Sequence, residues 1–217
     1  MSALHKKHFW EWFKRYQNEY DFLKTKPKKE ISYWLNELSA HLHAYCKFCD
    51  FILEWEQIQS NLTITVYGKV KYFKKAEDLV AKAPVIPGWT FTALADPRPI
   101  DFFLEQQIES TCIDPREFYF QYLNCDPENI DLVIYHPLCR RENEQAVNRL
   151  ATAAVFNLLG ERSFGQVINS LEVDNLSSAI PDDLQKLETL PASISLLKPD
   201  MVIDDKGNLV SHSAHII

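Results

Sequence analysis

Residues 51–94 read FILEWEQIQSNLTITVYGKVKYFKKAEDLVAKAPVIPGWTFTAL, and their changes of period decide the fold. Phe51–Trp55 and Leu62–Tyr67 run apolar or alternate, rich in β-branched and aromatic residues, so each predicts a strand, with Gly68 ending the second. From 72 to 83 the apolar residues Phe73, Ala76, Val80 and Ala83 return at helical spacing. Pro84 and Pro87-Gly88 close that helix, and Trp89–Leu94 is a third strand stopped by Asp96-Pro97-Arg98-Pro99. The order is ββαβ.

The order recurs further along. Glu117–Leu123 and Ile130–Tyr135 are strand-like, and residues 142–159 carry Val147, Leu150, Ala151, Ala154, Val155 and Leu158 on one helical face. Gly160 is placed as a left-handed stop. Ser163 with Gln166 resembles a capping box, which predicts a short helix through Val167, Ile168 and Leu171. Beyond 172 the pattern weakens. Asp182-Asp183 is expected to cap a helical turn running to Leu190, and Pro191 and Pro199 to interrupt the chain after it. Met201–Ile203 and Asn208–Val210 flank Asp204-Asp205-Lys206-Gly207 as a hairpin, with a loose tail at the end.

Two amphipathic helices precede the first strand. Phe9, Trp12, Phe13, Tyr16, Tyr20 and Leu23 share a stripe over 4–24, and Ile31, Trp34, Leu35, Leu38, Leu42, Tyr45 and Cys49 share one from Glu30 to Phe48. Joined by the turn at Pro27, they form an αα-hairpin whose aromatic face must cover a sheet. The chain is therefore expected to be α+β, one domain over 1–217. The helical hairpin (1–48) packs on an antiparallel sheet of two ferredoxin-like ββαβ halves (49–97 and 115–175), with an extension (176–217) beyond them.

The 217 residues are 46% hydrophobic, 12% aromatic and 24% charged, which excludes disordered, collagen-like and coiled-coil classes. The net charge of -7 argues against nucleic acid or an anionic membrane surface as partner. Charge is uneven, because residues 1–47 hold nine Lys/Arg against five Asp/Glu. No apolar run is long enough to span a bilayer, no signal-peptide pattern opens the chain, and five cysteines have no framework spacing. A cytoplasmic location is expected.

Several constellations invite chemistry. His41, His43, Cys46 and Cys49 are ligand-type residues within nine positions, but helical geometry spreads them around the axis. Packing is the expected role, with His43 and Cys46 as the minor metal alternative. Tyr135–Arg141 joins a strand to a helix, where Arg140 and Arg141 could add charge for an anion at the helix N-terminus. Without a glycine-rich loop, the expected role is a polar loop whose arginines pair with Glu142, Glu144 or another acidic group. The acid pairs Asp96 with Asp101, Glu105 with Glu109, and Asp114 with Glu117 have no spacing that makes a shared catalytic cleft. No nucleophile elbow, phosphate loop, zincin or dinucleotide motif occurs. Trp10 and Phe22 lie off the buried stripe of the first helix, so Trp10 with Lys14 makes either a candidate contact surface or a face packed under the C-terminal segment.

The run Leu62–Gly68, Phe73, Asp78-Leu79-Val80, Ala83-Pro84 and Pro87-Gly88-Trp89-Thr90-Phe91 is similar to a segment in a group of uncharacterised bacterial proteins. The resemblance covers about residues 50–100 and implies a bacterial, cytoplasmic, ferredoxin-like α+β protein, with no activity to transfer. The expectation is thus a non-enzymatic protein-binding or regulatory protein, with Trp10, Lys14, Arg98, His136, Arg140 and Arg141 as binding residues. No catalytic residue, metal or cofactor is assigned. A protein partner or a second copy of the chain is admitted, and nucleic acid and membrane are not. Alanine at Trp10 and Lys14 should then weaken a complex while barely changing stability. The alternative is an enzyme or ligand carrier with a pocket between the halves near His136–Glu142 and Asp96–Asp101, which requires those loops to meet in a cleft.

Overall fold

The computed structural model describes residues 3–55, 59–102, 113–126, 128–197, 201–203, 206–207 and 209–211. The chain forms two compact units, Met1–Ala95 and Asp96–Ile217, each with its own core.

The first unit opens with α1 (Ala3–Asp21), a 3-10 turn at Leu23–Thr25 and α2 (Lys28–Tyr45). β1 (Asp50–Trp55), β2 (Ser60–Thr65), α3 (Phe73–Val80) and β3 (Trp89–Ala93) come next, each within about two residues of its expected place at most ends. β1 and β2 are antiparallel, with Phe51 opposite Ile64 and Leu53 opposite Leu62. β3 runs parallel to β2, since the chain must cross over through α3 before it returns. Phe9, Phe13 and Tyr20 of α1 and Leu38, Leu42 and Tyr45 of α2 are buried in a core with Leu62, Ile64, Phe73 and Leu79. The core's few polar groups tie elements together. Trp55 Nε1 donates to the Tyr20 carbonyl at 2.7 Å, and the Tyr45 hydroxyl donates to the Lys75 carbonyl at 2.9 Å.

The second unit repeats the pairing pattern. β4 (Tyr119–Asp126) and β5 (Asn129–His136) are antiparallel, α4 (Glu144–Val167) crosses over, and β6 (Ile168–Asn175) lies parallel to β5. The short β7 (Gln185–Lys186) extends the sheet beside β4, in the order β6-β5-β4-β7. α5 (Leu190–Leu197) and the hairpin of β8 (Met201–Ile203) and β9 (Leu209–Ser211) complete the described chain. β5 is central, and Leu132, Val133, Ile134, Tyr135 and His136 are all buried, as a strand covered on both faces must be. Its core partners include Phe118, Phe120, Val147, Ala151 and Val155. A bulge in β4 falls at Leu123, which is exposed.

The α+β class is as expected; the arrangement of strands corrects the expectation. Among the described residues there are two mixed sheets, of three and four strands, besides the β8–β9 hairpin, in place of one antiparallel sheet. Residues 168–175 are a strand and not a short helix, because β5 supplies a long-range ladder that the local pattern does not advertise. The Asp182-Asp183 segment makes only a 3-10 turn at Pro181–Asp183, and Pro191 sits in the first turn of α5, where its missing N–H costs nothing. Gly160 does take a left-handed φ of 70°, but α4 resumes after the kink. A Cβ there would lie 2.7 Å from Pro97 Cδ, and one at Gly207 would lie 3.2 Å from the same atom. Pro97 is therefore seated between two glycines distant in sequence. The Ser163 hydroxyl caps nothing and donates instead to the Gly207 carbonyl.

Candidate functional site

α1 carries two stripes. At about 100° per residue, Phe9, Phe13 and Tyr20 cluster on the sheet side, Trp10 lies to one flank of them, and Trp12 and Tyr16 lie to the other. The Trp10 flank is closed by α3: its indole N–H donates to the Leu79 carbonyl at 2.8 Å, and its ring stands edge-on to Phe91 at 4.7 Å. Only 3% of Trp10 is exposed. The expectation that Trp10 offers a contact surface is corrected, because α3 covers the flank that the stripe alone leaves open. Lys14 is exposed, as expected. Phe22 is also exposed.

The opposite flank faces α2 and stays open. Trp12 and Tyr16 meet Trp34 and His41 across the hairpin: Trp12 stacks on His41 at 4.0 Å, and Tyr16 lies 5.6 Å from Trp34. Tyr33 adds a fourth aromatic side chain, 5.1 Å from Trp34. These rings line a groove of about 580 Å³, together with Glu11 and Arg15 on α1 and Glu37 on α2. His8, one turn before Glu11, also borders it, with Nδ1 3.9 Å from the Glu11 carboxylate. Lining positions 8, 11, 12, 15 and 16 on α1 obey the three-and-four rule, as do 33, 34, 37 and 41 on α2.

Polar groups converge on this groove without being used. Among the described residues, no hydrogen bond or ion pair engages Arg15, Glu37, the Tyr16 and Tyr33 hydroxyls, or the Trp12 and Trp34 indole N–H groups. Beneath them the Tyr20 hydroxyl donates to the Trp34 carbonyl at 2.8 Å. Burial first, and the nearby Glu37 carboxylate second, push the Tyr20 pKa up, so the floor stays neutral. Rigid aromatic walls with unsatisfied hydrogen-bonding tips are the composition of a recognition surface. The stripe alone places Trp12, Tyr16 and Trp34 in the core. Their half-burial depends on how far apart the two helix axes run.

The remaining candidates lie elsewhere. His41 is spent on Trp12, His43 Nδ1 lies 3.4 Å from the Ser39 hydroxyl, and Cys46 and Cys49 are core residues. These four do not converge. In the second unit, His136 ends β5 and is fully buried. Its Nδ1 accepts the Leu138 N–H at 3.1 Å, so the neutral ring carries its proton on Nε2. That Nε2 has no hydrogen-bond partner among the described residues, although a Glu117 carboxylate oxygen lies 3.7 Å away. Burial dominates and pulls the His136 pKa down, while Glu117 and Asp114 oppose it. The ring is sealed from solvent in this structure.

The loop after His136 is self-contained. Asn143 donates to the Leu138 carbonyl and accepts the Arg140 N–H, and Asn175 at the end of β6 donates to the Cys139 carbonyl at 2.7 Å. Arg140, Arg141 and Glu142 border it, both arginines exposed. Arg98 is held elsewhere: its N–H donates to the Asn157 carbonyl and its guanidinium lies 4.8 Å from the Phe102 ring. Asn157 and Asn143 are about 21 Å apart along α4. The Arg98 backbone is thus anchored well along that helix from the N-terminal loop that carries Arg140 and Arg141. Of the acid pairs, Asp114 is taken up by Arg116, 2.7 Å away, and Glu105 and Glu109 lie outside the described residues. A second groove of about 400 Å³ runs past Tyr122, Tyr135, Asp182 and Gln185, reaching the residue before His136 but none of His136–Glu142 or Asp96–Asp101.

No described helix is long and apolar enough to cross a membrane. The chain matches no protein-family model, no curated protein and no solved structure.

Proposed function

We propose that the protein is a binding protein that takes a segment of a partner protein into the groove between α1 and α2. The carrying observation is the set of aromatic rings and unengaged polar tips, held on a hairpin whose other face is locked into the core. The surface stays on the first helix, where the sequence points, but moves around the axis from Trp10 to Trp12 and Tyr16. The partner is a protein rather than a nucleic acid, since the groove holds two carboxylates against one arginine and the whole chain is acidic. A catalytic reading has less behind it, because His136, the buried histidine among the described residues of the second unit, is closed to solvent.

Site-specific photo-crosslinking in cells tests this. A photoreactive phenylalanine at Tyr33, on the groove wall, should give a discrete adduct with one protein. The same group at Lys74, an exposed position on α3, should not. The same products from both positions, or none from Tyr33, overturn the reading; an adduct of twice the chain mass identifies the partner as a second copy.

A further inference from the structure

We infer that the groove selects a cationic side chain, a lysine or arginine of the partner, seated on the rings of Trp12, Tyr16 and Trp34 and facing Glu37. The inference rests on the reading of this groove as a binding surface and names what it recognises. Its first support is the pattern of ring faces in the same unit. Trp55 carries Lys24 at 4.8 Å, Phe48 carries Lys47 at 4.9 Å, and Tyr72 carries Lys71 at 5.0 Å. At these three places one of the chain's own ammonium groups sits over a ring, whose negative face attracts it. Among the described residues, no lysine or arginine lies over Trp12, Tyr16, Tyr33 or Trp34. The exposed Phe22 carries none either, but these four are the rings that gather around one groove.

Its second support is charge. Glu37 is half-buried, acts on the Tyr20 hydroxyl at the groove floor, and has no cation of its own among the described residues. Arg15 is more exposed than Glu37 and lines the groove from α1, one helical turn beyond Glu11. A basic side chain entering from solvent would meet ring faces along its methylene stem and a carboxylate at its head. This is how amphipathic cations bury their stems and keep the charge paired. An acidic side chain would meet the same rings and Glu37 with the wrong sign.

The test uses the whole chain and two small probes, Nα-acetyl-lysine methylamide and Nα-acetyl-norleucine methylamide, alike in reach but different in charge. The readout is the indole N–H signals in a nitrogen–proton NMR spectrum, where five tryptophans give five resonances. The lysine probe should shift the Trp12 and Trp34 signals saturably in the millimolar range and leave Trp10, tied to Leu79, unmoved. The norleucine probe should bind about tenfold more weakly. Glu37→Gln should weaken the lysine probe by about the same factor with the rest of the spectrum unchanged, and Lys14→Ala should bind like the parent protein. Equal binding of the two probes, or no shift from the lysine probe, overturns the cation inference. A Tyr33 adduct obtained together with either of those results would leave the binding surface standing and remove only its selectivity.

Discussion

Replacing Trp10 with alanine should cost the first unit most of its stability. The side chain is 3% exposed, packs edge-on against Phe9, Phe13 and Phe91, and spends its one polar atom on the Leu79 carbonyl. Truncating a buried tryptophan to alanine costs about 3–5 kcal/mol, the upper part applying where a helix and a sheet on either side cannot collapse into the gap. The lost hydrogen bond adds little beyond that, because Leu79 O keeps the Lys82 N–H as a partner at 3.0 Å. A net loss of about 4 kcal/mol, with a urea m-value of about 1–1.5 kcal/mol per M, lowers the midpoint by about 3 M. Trp10→Phe, which keeps a ring but no donor, should lose about 1–2 kcal/mol. Tryptophan emission is the right probe, because Trp10, Trp12, Trp34, Trp55 and Trp89 all fall in Met1–Ala95. Lys14→Ala, one turn away on the exposed face, should stay within about 0.5 kcal/mol of the parent. A midpoint shift below about 1 M for Trp10→Ala would show that the indole is neither tightly packed nor bonded to Leu79.

Three further outcomes are expected. Gly160→Ala should lower the melting temperature of the second unit by well over about 5 °C, since a left-handed φ costs about 1–2 kcal/mol and the new Cβ meets the Pro97 backbone nitrogen at 2.8 Å; a variant as stable as the parent would mean that the kink relaxes freely. Because burial holds the His136 pKa below its value in the unfolded chain, the unfolded state takes up that proton first as pH falls. Stability should therefore be intact above about pH 6.5 and be lost below it. His136→Phe should flatten denaturation midpoints between about pH 5 and 6.5, and an unchanged slope there would refute the assignment. Asn175→Ala releases the Cys139 and Pro137 carbonyls from the end of β6, and should cost about 1–2 kcal/mol by circular dichroism while tryptophan emission reports no earlier unfolding of the first unit.

How much of the fold can be read from the residues depends on how local each determinant is. β1, β2 and β3 are readable because alternation, Gly68 and Pro87-Gly88 are neighbours in sequence, and the hairpin of β8 and β9 is readable from the turn between its strands. The positive φ at Gly160 is readable for the same reason. β6 is not: Ile168 comes directly after Val167 with no turn residue, and only pairing with Ile130–His136, some forty positions back, makes it a strand. The parallel sense of β3 and β6 is likewise a property of the crossover and not of the strand. The candidate site shows the limit most clearly. The broad aromatic stripe of α1 is evident, but which edge is buried depends on whether α3 or α2 lies nearer, and that reverses the parts of Trp10 and Trp12.

Pro97, held between Gly160 and Gly207, has a consequence for synthesis on the ribosome. Every core residue of the first unit lies at or before Leu94, so that unit can close while the rest is still being translated. The second unit needs residue 207 beside residue 97 before its proline is enclosed. At about 5–20 residues per second, the interval between residues 95 and 207 lasts about 6–22 s. For that time a folded N-terminal unit is tethered to a strand-rich nascent segment that lacks its last contacts. Chaperone engagement during translation should therefore map to the second unit and end as the β9 segment emerges.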